Sequence, residues 1–244
     1  MATWIAHFRI AERLLQDWPH LDTPAFVIGN VAPDSGRPNH DWTQFDPPKS
    51  VTHLLCPGED EGHIPDLTFW REYVQGQQDM DPSRSAFVLG YFTHLVSDNL
   101  WMHFIGRSTQ ETFGTEFAAH RAATWERVKD DWYGLDHKYL RDHPHNVFSS
   151  QVVPAPNPPS PLPFLGSEAL AHRLDDLREF YAQPGGFVLD RSYPYLSEDS
   201  MNRVVEDCAR AIVVLTNRLE AGEIPADQRI SLHVMDLPVA YTLP

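Results

Sequence analysis

Apolar residues recur every three or four positions along most of the chain, the pattern of helices that lay one face on a core. Residues 3 to 17 carry Ile5, Phe8, Ile10, Leu14 and Leu15 in such a stripe, with Thr3 placed to cap the start and Pro19 to end it. Ala25 to Ile28 reads as the beginning of a second buried helix, which Gly29, Pro33, Gly36 and Pro38 break into a turn-rich segment. From Asp41 to Pro65, proline, glycine and charge predict an irregular excursion. Residues 66 to 75 resume helix with Leu67, Trp70 and Val74 inward. Residues 85 to 104, SAFVLGYFTHLVSDNLWMHF, are apolar on nearly every helical face, so this helix is expected to be wrapped in protein; Asp81 or Ser83, with Pro82, supplies its cap.

The clearest amphipathic pattern spans 115 to 141, where Trp125, Val128, Trp132, Leu135 and Tyr139 form the inward stripe. Glu126, Asp130 and His137 then face solvent, while His120, Thr124 and Asp131 line one flank and Asp136 the other. Val152 to Phe164 is a proline-rich connector that suits neither helix nor central strand. Helices are expected again over 167–182 and 198–221, and a short strand over Arg229 to Val234. The expected architecture is all-α, a single mainly helical domain over 1–244 with long loops.

Composition narrows the chemistry. The chain has 244 residues, 42% of them hydrophobic, enough for a substantial core. A formal net charge of −15 argues against stable nucleic-acid binding, which needs a basic face. Cys56 and Cys208 are the only cysteines, too few for a thiolate zinc site, so any metal has to be held by histidine and carboxylate. The first residues carry Arg9, Glu12 and Arg13 within the amphipathic stripe, unlike a signal peptide or anchor, and no stretch reads as a transmembrane segment. The expected compartment is cytoplasmic.

Within the apolar run of 85–104 sit His94 and Asp98, four apart and so on one helical face. A buried carboxylate needs a partner or a cation. Two readings fit: a hydrogen-bonded pair in the core, or two ligands of a metal site. Gly90, one turn earlier, leaves space on the same face. His7 borders the first stripe, Asp34 lies in the turn-rich segment and His53 in the excursion, each open to a structural or a ligand role. Asp131, on the flank of its helix, can reach into a cleft and is a further candidate ligand, with His120 a weaker one.

Taken together, His-Phe-Arg-Ile-Ala-Glu-Arg at 7–13, Leu-Gly-x3-His-x3-Asp at 89–98, and the order of Asp34 and His53 between them resemble the zinc-dependent phospholipase C family, whose relatives include the S1/P1-type nucleases. The resemblance implies a multi-helix domain in which Asp34, His53, His94 and Asp98 hold one zinc and His7 a second, bridged by Asp98. It implies attack on phosphorus by a metal-bound hydroxide, with Asp34 accepting the proton; the expected partner is a small phosphoester substrate, with a phospholipid head group, a nucleotide and a small phosphate ester all left open. Thr124 stands four residues after His120 where the family has glutamate, so one or two ions are expected rather than three; a third would need Asp131 or another group. The alternative is a non-catalytic, metal-stabilised or protein-binding module that keeps the fold.

Overall fold

Thr3 opens the first helix as the spacing predicts: its hydroxyl oxygen accepts the Ala6 N–H at 3.3 Å, and α1 (Trp4–Asp17) buries Ile5, Phe8, Ile10 and Leu14. The computed structural model describes residues 1–40, 44–56, 58, 62–76, 80–241 and 243. Asp22 caps α2 (Thr23–Gly29) by accepting from Ala25 N, and Pro24 sits in the first turn, where its missing N–H costs nothing. A 3₁₀ turn, Ala32–Ser35, follows. Arg37–Pro38 (β1) and Phe45–Asp46 (β2) then pair antiparallel in a two-stranded ladder. Of the stretch expected to be irregular, residues 41–43, 57 and 59–61 lie outside the described residues; the rest carries β2 and a short helix, α3 (Lys49–Thr52).

The expected helix over 66–75 is α4 (Asp66–Phe69), continued by a π-helical turn, Trp70–Val74. The central helix, α5 (Pro82–Trp101), starts at Asp81, whose carboxylate accepts from Ser83 N and Arg84 N. It is buried on all faces, with Phe87, Val88, Tyr91, Phe92, Leu95, Val96, Leu100 and Trp101 in the core. A π-helical turn, Met102–Gly106, leads to α6 (Arg107–Thr112), and α7 (Gly114–Asp142) carries the long amphipathic stripe. Val128, Trp132 and Leu135 are buried as expected. The chain leaves helical geometry at His120 (φ −146°, ψ 61°). Another π-helical turn, Phe148–Val152, precedes the proline-rich loop, and α8 (Ser167–Tyr181) and α9 (Glu198–Glu220) complete the helices.

The molecule is mainly helical. α2 packs on α5, and α1 is held between α5 and α9. Gly29 and Gly90 make the α2–α5 approach possible: a Cβ on Gly90 would lie 2.2 Å from the Phe26 carbonyl oxygen, and one on Gly29 2.1 Å from that of Phe87. The space beside Gly90 is thus filled by the α2 backbone. Among the described residues, no helix is long and apolar enough to cross a membrane.

Two expectations are corrected. The stretch expected as a strand, Arg229 to Val234, instead holds a 3₁₀ turn, Ser231–His233. Buried Asp66 takes the Ser231 N–H at 2.8 Å and its hydroxyl, and this side-chain hold replaces a ladder. His137 faces inward, packed against the rings of Phe180, Tyr181 and Phe187 contributed by α8 and the loop after it.

Candidate metal centre

His94 and Asp98 occupy successive turns of α5, and both are fully buried. His94 Nδ1 lies 2.8 Å from the Asn30 carbonyl oxygen. A carbonyl only accepts, so Nδ1 carries the proton and the lone pair is on Nε2, directed away from α2. Asn30 is itself fixed, its Nδ2 donating to Gly90 O at 3.3 Å and Thr93 Oγ1 at 2.5 Å. The close α2–α5 contact therefore sets the orientation of the His94 ring.

Three other segments converge on this pair. α1 brings His7, whose ring stacks on that of His94 with centroids 3.9 Å apart and whose Nε2 is 3.2 Å from Asp98 Oδ1. Asp98 Oδ1 also accepts the Ala2 N–H at 2.9 Å. The 3₁₀ turn after α2 presents Asp34. The end of α3 presents His53, where Tyr91 on α5 donates to the Thr52 carbonyl at 2.6 Å and Thr52 Oγ1 lies 2.9 Å from His53 Nδ1. Leu54, at φ 55°, turns the chain sharply after it, a left-handed conformation uncommon for a branched side chain.

The four atoms His53 Nε2, Asp34 Oδ1, His94 Nε2 and Asp98 Oδ2 form a closed ring of short separations. His53 Nε2 is 3.6 Å from both Asp34 Oδ1 and Asp98 Oδ2. His94 Nε2 is 3.9 Å from Asp34 Oδ1 and 3.5 Å from Asp98 Oδ2. Tetrahedral zinc with bonds of about 2.0–2.1 Å requires ligand atoms about 3.3–3.4 Å apart; three sides of the ring are within about 0.3 Å of that, and the His94–Asp34 side is about half an ångström longer. Potential ligand atoms group as His7, His94 and Asp98 and as Asp34, His53 and His94, with His94 common to both. His7 Nδ1 and Nε2, His53 Nε2, His94 Nε2 and Asp98 Oδ2 are buried without a hydrogen-bond partner among the described residues. Each such atom costs on the order of 1–3 kcal/mol if left so, and metal ions in the cluster would satisfy His53 Nε2, His94 Nε2, Asp98 Oδ2 and one nitrogen of His7.

The charges reinforce one another. Burial works against ionising Asp98, but His94, His53 and His7 outweigh it and hold the carboxyl well below the ordinary range. Asp34 is likewise lowered against burial, by His94 and His53. Burial, then the neighbouring His94, lowers His7 to about 4, so its imidazole is neutral and able to ligate near neutral pH. His94 is raised, because Asp98 and Asp34 overcome its desolvation. Two ionised carboxylates among three imidazoles suit Zn²⁺, and the fixed Nδ1–H of His94 is the outer hydrogen bond typical of ligating histidine.

Asp131, expected as a further ligand, belongs elsewhere. Its Oδ1 accepts from Arg191 Nη1 at 2.5 Å and its Oδ2 from Tyr195 N at 2.7 Å, tying α7 to the segment before α9. The flank of α7 that was expected to reach a cleft is used for this clasp. His120 is exposed at the break in α7. His103, in the π-helical turn, has Nε2 2.9 Å from the Pro238 carbonyl oxygen. Asp136 is buried and takes the hydroxyls of Thr3 at 2.7 Å and Tyr181 at 2.6 Å, supporting the start of α1. Sequence reasoning passed over Asn30, Thr52 and Tyr91, which orient the histidines, and Arg173, which with Trp4 holds Asp34; it weighed Trp4 only as a metal-binding residue, not as a partner of Asp34. The only linear signals for them are Asn30 interrupting an apolar run and Trp4 standing one turn before His7.

Residues 6–146 match the family model described as zinc dependent phospholipase C. That stretch is more than half of the chain and contains His7, Asp34, His53, His94 and Asp98; the chain belongs to this family. No curated protein and no solved structure matches it.

Proposed function

We propose that the chain is a zinc-dependent phosphoester hydrolase working at the His7–Asp34–His53–His94–Asp98 cluster, within a single domain. The observation that carries this reading is the set of buried, unpartnered imidazole and carboxylate atoms that face one another at metal-ligand spacing. Asp34, His53, His94 and Asp98 would hold one ion, and His7 with Asp98 a second.

Zinc held there supplies positive charge that polarises a phosphoryl group and acidifies water. The chain's own groups do the rest. The rings of His53 and His94 fix the donor atoms, and the apolar wall of α5 lowers the local dielectric, which strengthens every charge interaction inside it. Asp34 is the proton acceptor: its side chain, at 8% exposure, is the least enclosed of the five, and it remains ionised beside His94 and His53. The overall charge of −15 supports a small phosphoester over a polyanion, which the surface repels.

Zinc-loaded protein assayed on phosphodiester and phosphomonoester substrates tests this directly. Asp34→Asn and Asp98→Asn should each lower kcat/KM by about 10²-fold or more. Activity surviving both changes overturns the assignment.

A further inference from the structure

We infer that Trp4 is a positioning residue for the metal centre: its indole N–H binds one oxygen of Asp34 and so commits the other to the cluster. The inference rests on the metal-site reading of Asp34. Trp4 Nε1 donates to Asp34 Oδ2 at 2.8 Å, while Asp34 Oδ1 faces His53 and His94. An indole nitrogen only donates, so it can bind neither a cation nor the proton that the cluster handles. Its effect on the site passes through the orientation of Asp34.

The donor is itself held from two sides. The Trp4 ring packs edge-on against Phe180, with centroids 5.7 Å apart, and lies 6.0 Å from Tyr133. The Arg173 guanidinium stands over the same ring at 5.1 Å. Arg173 also reaches past the ring to the backbone of the 3₁₀ turn, donating from Nε to Asp34 O at 2.6 Å and from Nη2 to Gly36 O at 3.0 Å. Asp34 is thus fixed at main chain by Arg173 and at one carboxylate oxygen by Trp4, and these two residues stack on each other. Neither belongs to the stretch matched by the family model, 6–146.

Arg173 brings α8, distant in sequence, onto the same turn as α1. Trp4 lies one turn before His7 on α1, so a shift of that helix moves a candidate ligand and the hold on Asp34 together. A carboxylate free to rotate offers either oxygen or both, and a ligand with outer-shell support typically binds its metal 10- to 100-fold more tightly than one without, as an order-of-magnitude guide.

Zinc affinity, measured by chelator competition on the full chain, tests the inference without recourse to activity. Trp4→Phe keeps the ring and removes the N–H; it should weaken zinc binding about tenfold. The same substitution made in an Asp34→Asn background should add less than about twofold, because Trp4 acts through the Asp34 carboxylate, whereas a purely structural role adds its full cost in both backgrounds. If Trp4→Phe does not fold, shown by its circular dichroism, Arg173→Lys reads the same clamp and should weaken binding in the same range. Wild-type affinity in the folded Trp4→Phe variant, or an equal loss in both backgrounds, overturns the positioning role while leaving the metal site standing. Wild-type protein that binds no zinc overturns both.

Discussion

His94 gives its Nδ1–H to the Asn30 carbonyl at 2.8 Å, and this one bond selects which ring nitrogen faces the carboxylates. His94 is also the residue common to both groups of candidate ligands. Its one free lone pair serves a single ion, so His94→Ala should release the ion held with Asp34, His53 and Asp98 and lower bound zinc by about one equivalent. Elemental analysis of the dialysed variant checks it; a stoichiometry equal to wild type contradicts its role as a ligand.

His7 enters only one of the two groups. Its substitution by Ala should reduce the bound stoichiometry without abolishing it, leaving the ion held by Asp34, His53, His94 and Asp98. An unchanged value in the same analysis removes His7 from the site.

Asp131 is satisfied by Arg191 and Tyr195. Asp131→Asn should leave zinc content and affinity as in wild type and lower stability in denaturant by roughly 1–3 kcal/mol, since it breaks a buried charge-assisted bond. A loss of zinc from this variant would restore Asp131 as a ligand.

The fit of α2 against α5 can be tested at Gly90. A methyl group there meets backbone, with Phe26 O at 2.2 Å and Asn30 N at 3.0 Å, so neither helix can yield by a rotamer change. Gly90→Ala should destabilise the fold by roughly 1–3 kcal/mol and, by displacing Asn30, weaken zinc binding as well. Thermal melts with and without zinc separate the two effects.

Much of this arrangement is legible in the sequence, and the limits have physical causes. The stripe of α9, the cap at Asp81 and the all-round apolar surface of α5 are local, and the structure has each of them. His94 and Asp98 share a face because helical spacing requires it. The meeting of His7, Asp34 and His53 with that face depends on how α1, α2 and α3 pack, which no window of sequence contains; the family resemblance supplied it. His137 and Asp131 show the converse. Both lie on α7 where periodicity alone leaves one exposed and the other aimed at a cleft, but α8 and the loop before α9 cover that surface and claim both side chains. The turn at Ser231 likewise depends on Asp66, far away in the chain.

Asp136 links stability to pH. Burial pushes its carboxyl up to about 7 from an ordinary 3.8, despite the hydroxyls of Tyr181 and Thr3. Across that interval the folded chain holds a proton that the unfolded chain has released, so the stability this group contributes is full below about pH 4, falls as pH rises toward 7 and is flat above. Asp136→Asn cannot ionise. Its stability relative to wild type should improve with rising pH by up to about 1.4 kcal/mol per pH unit in that window. Denaturant unfolding of both proteins from about pH 4 to about pH 8 gives the difference, and parallel curves would contradict the assignment.

The central claim, that the buried cluster holds zinc, is tested most directly by elemental analysis of wild-type protein purified without chelator. At least one equivalent of zinc, sharply reduced by Asp98→Asn, is the expected result. Less than about one-tenth of an equivalent of any divalent metal would contradict it and leave His94 and Asp98 as a buried pair without an ion.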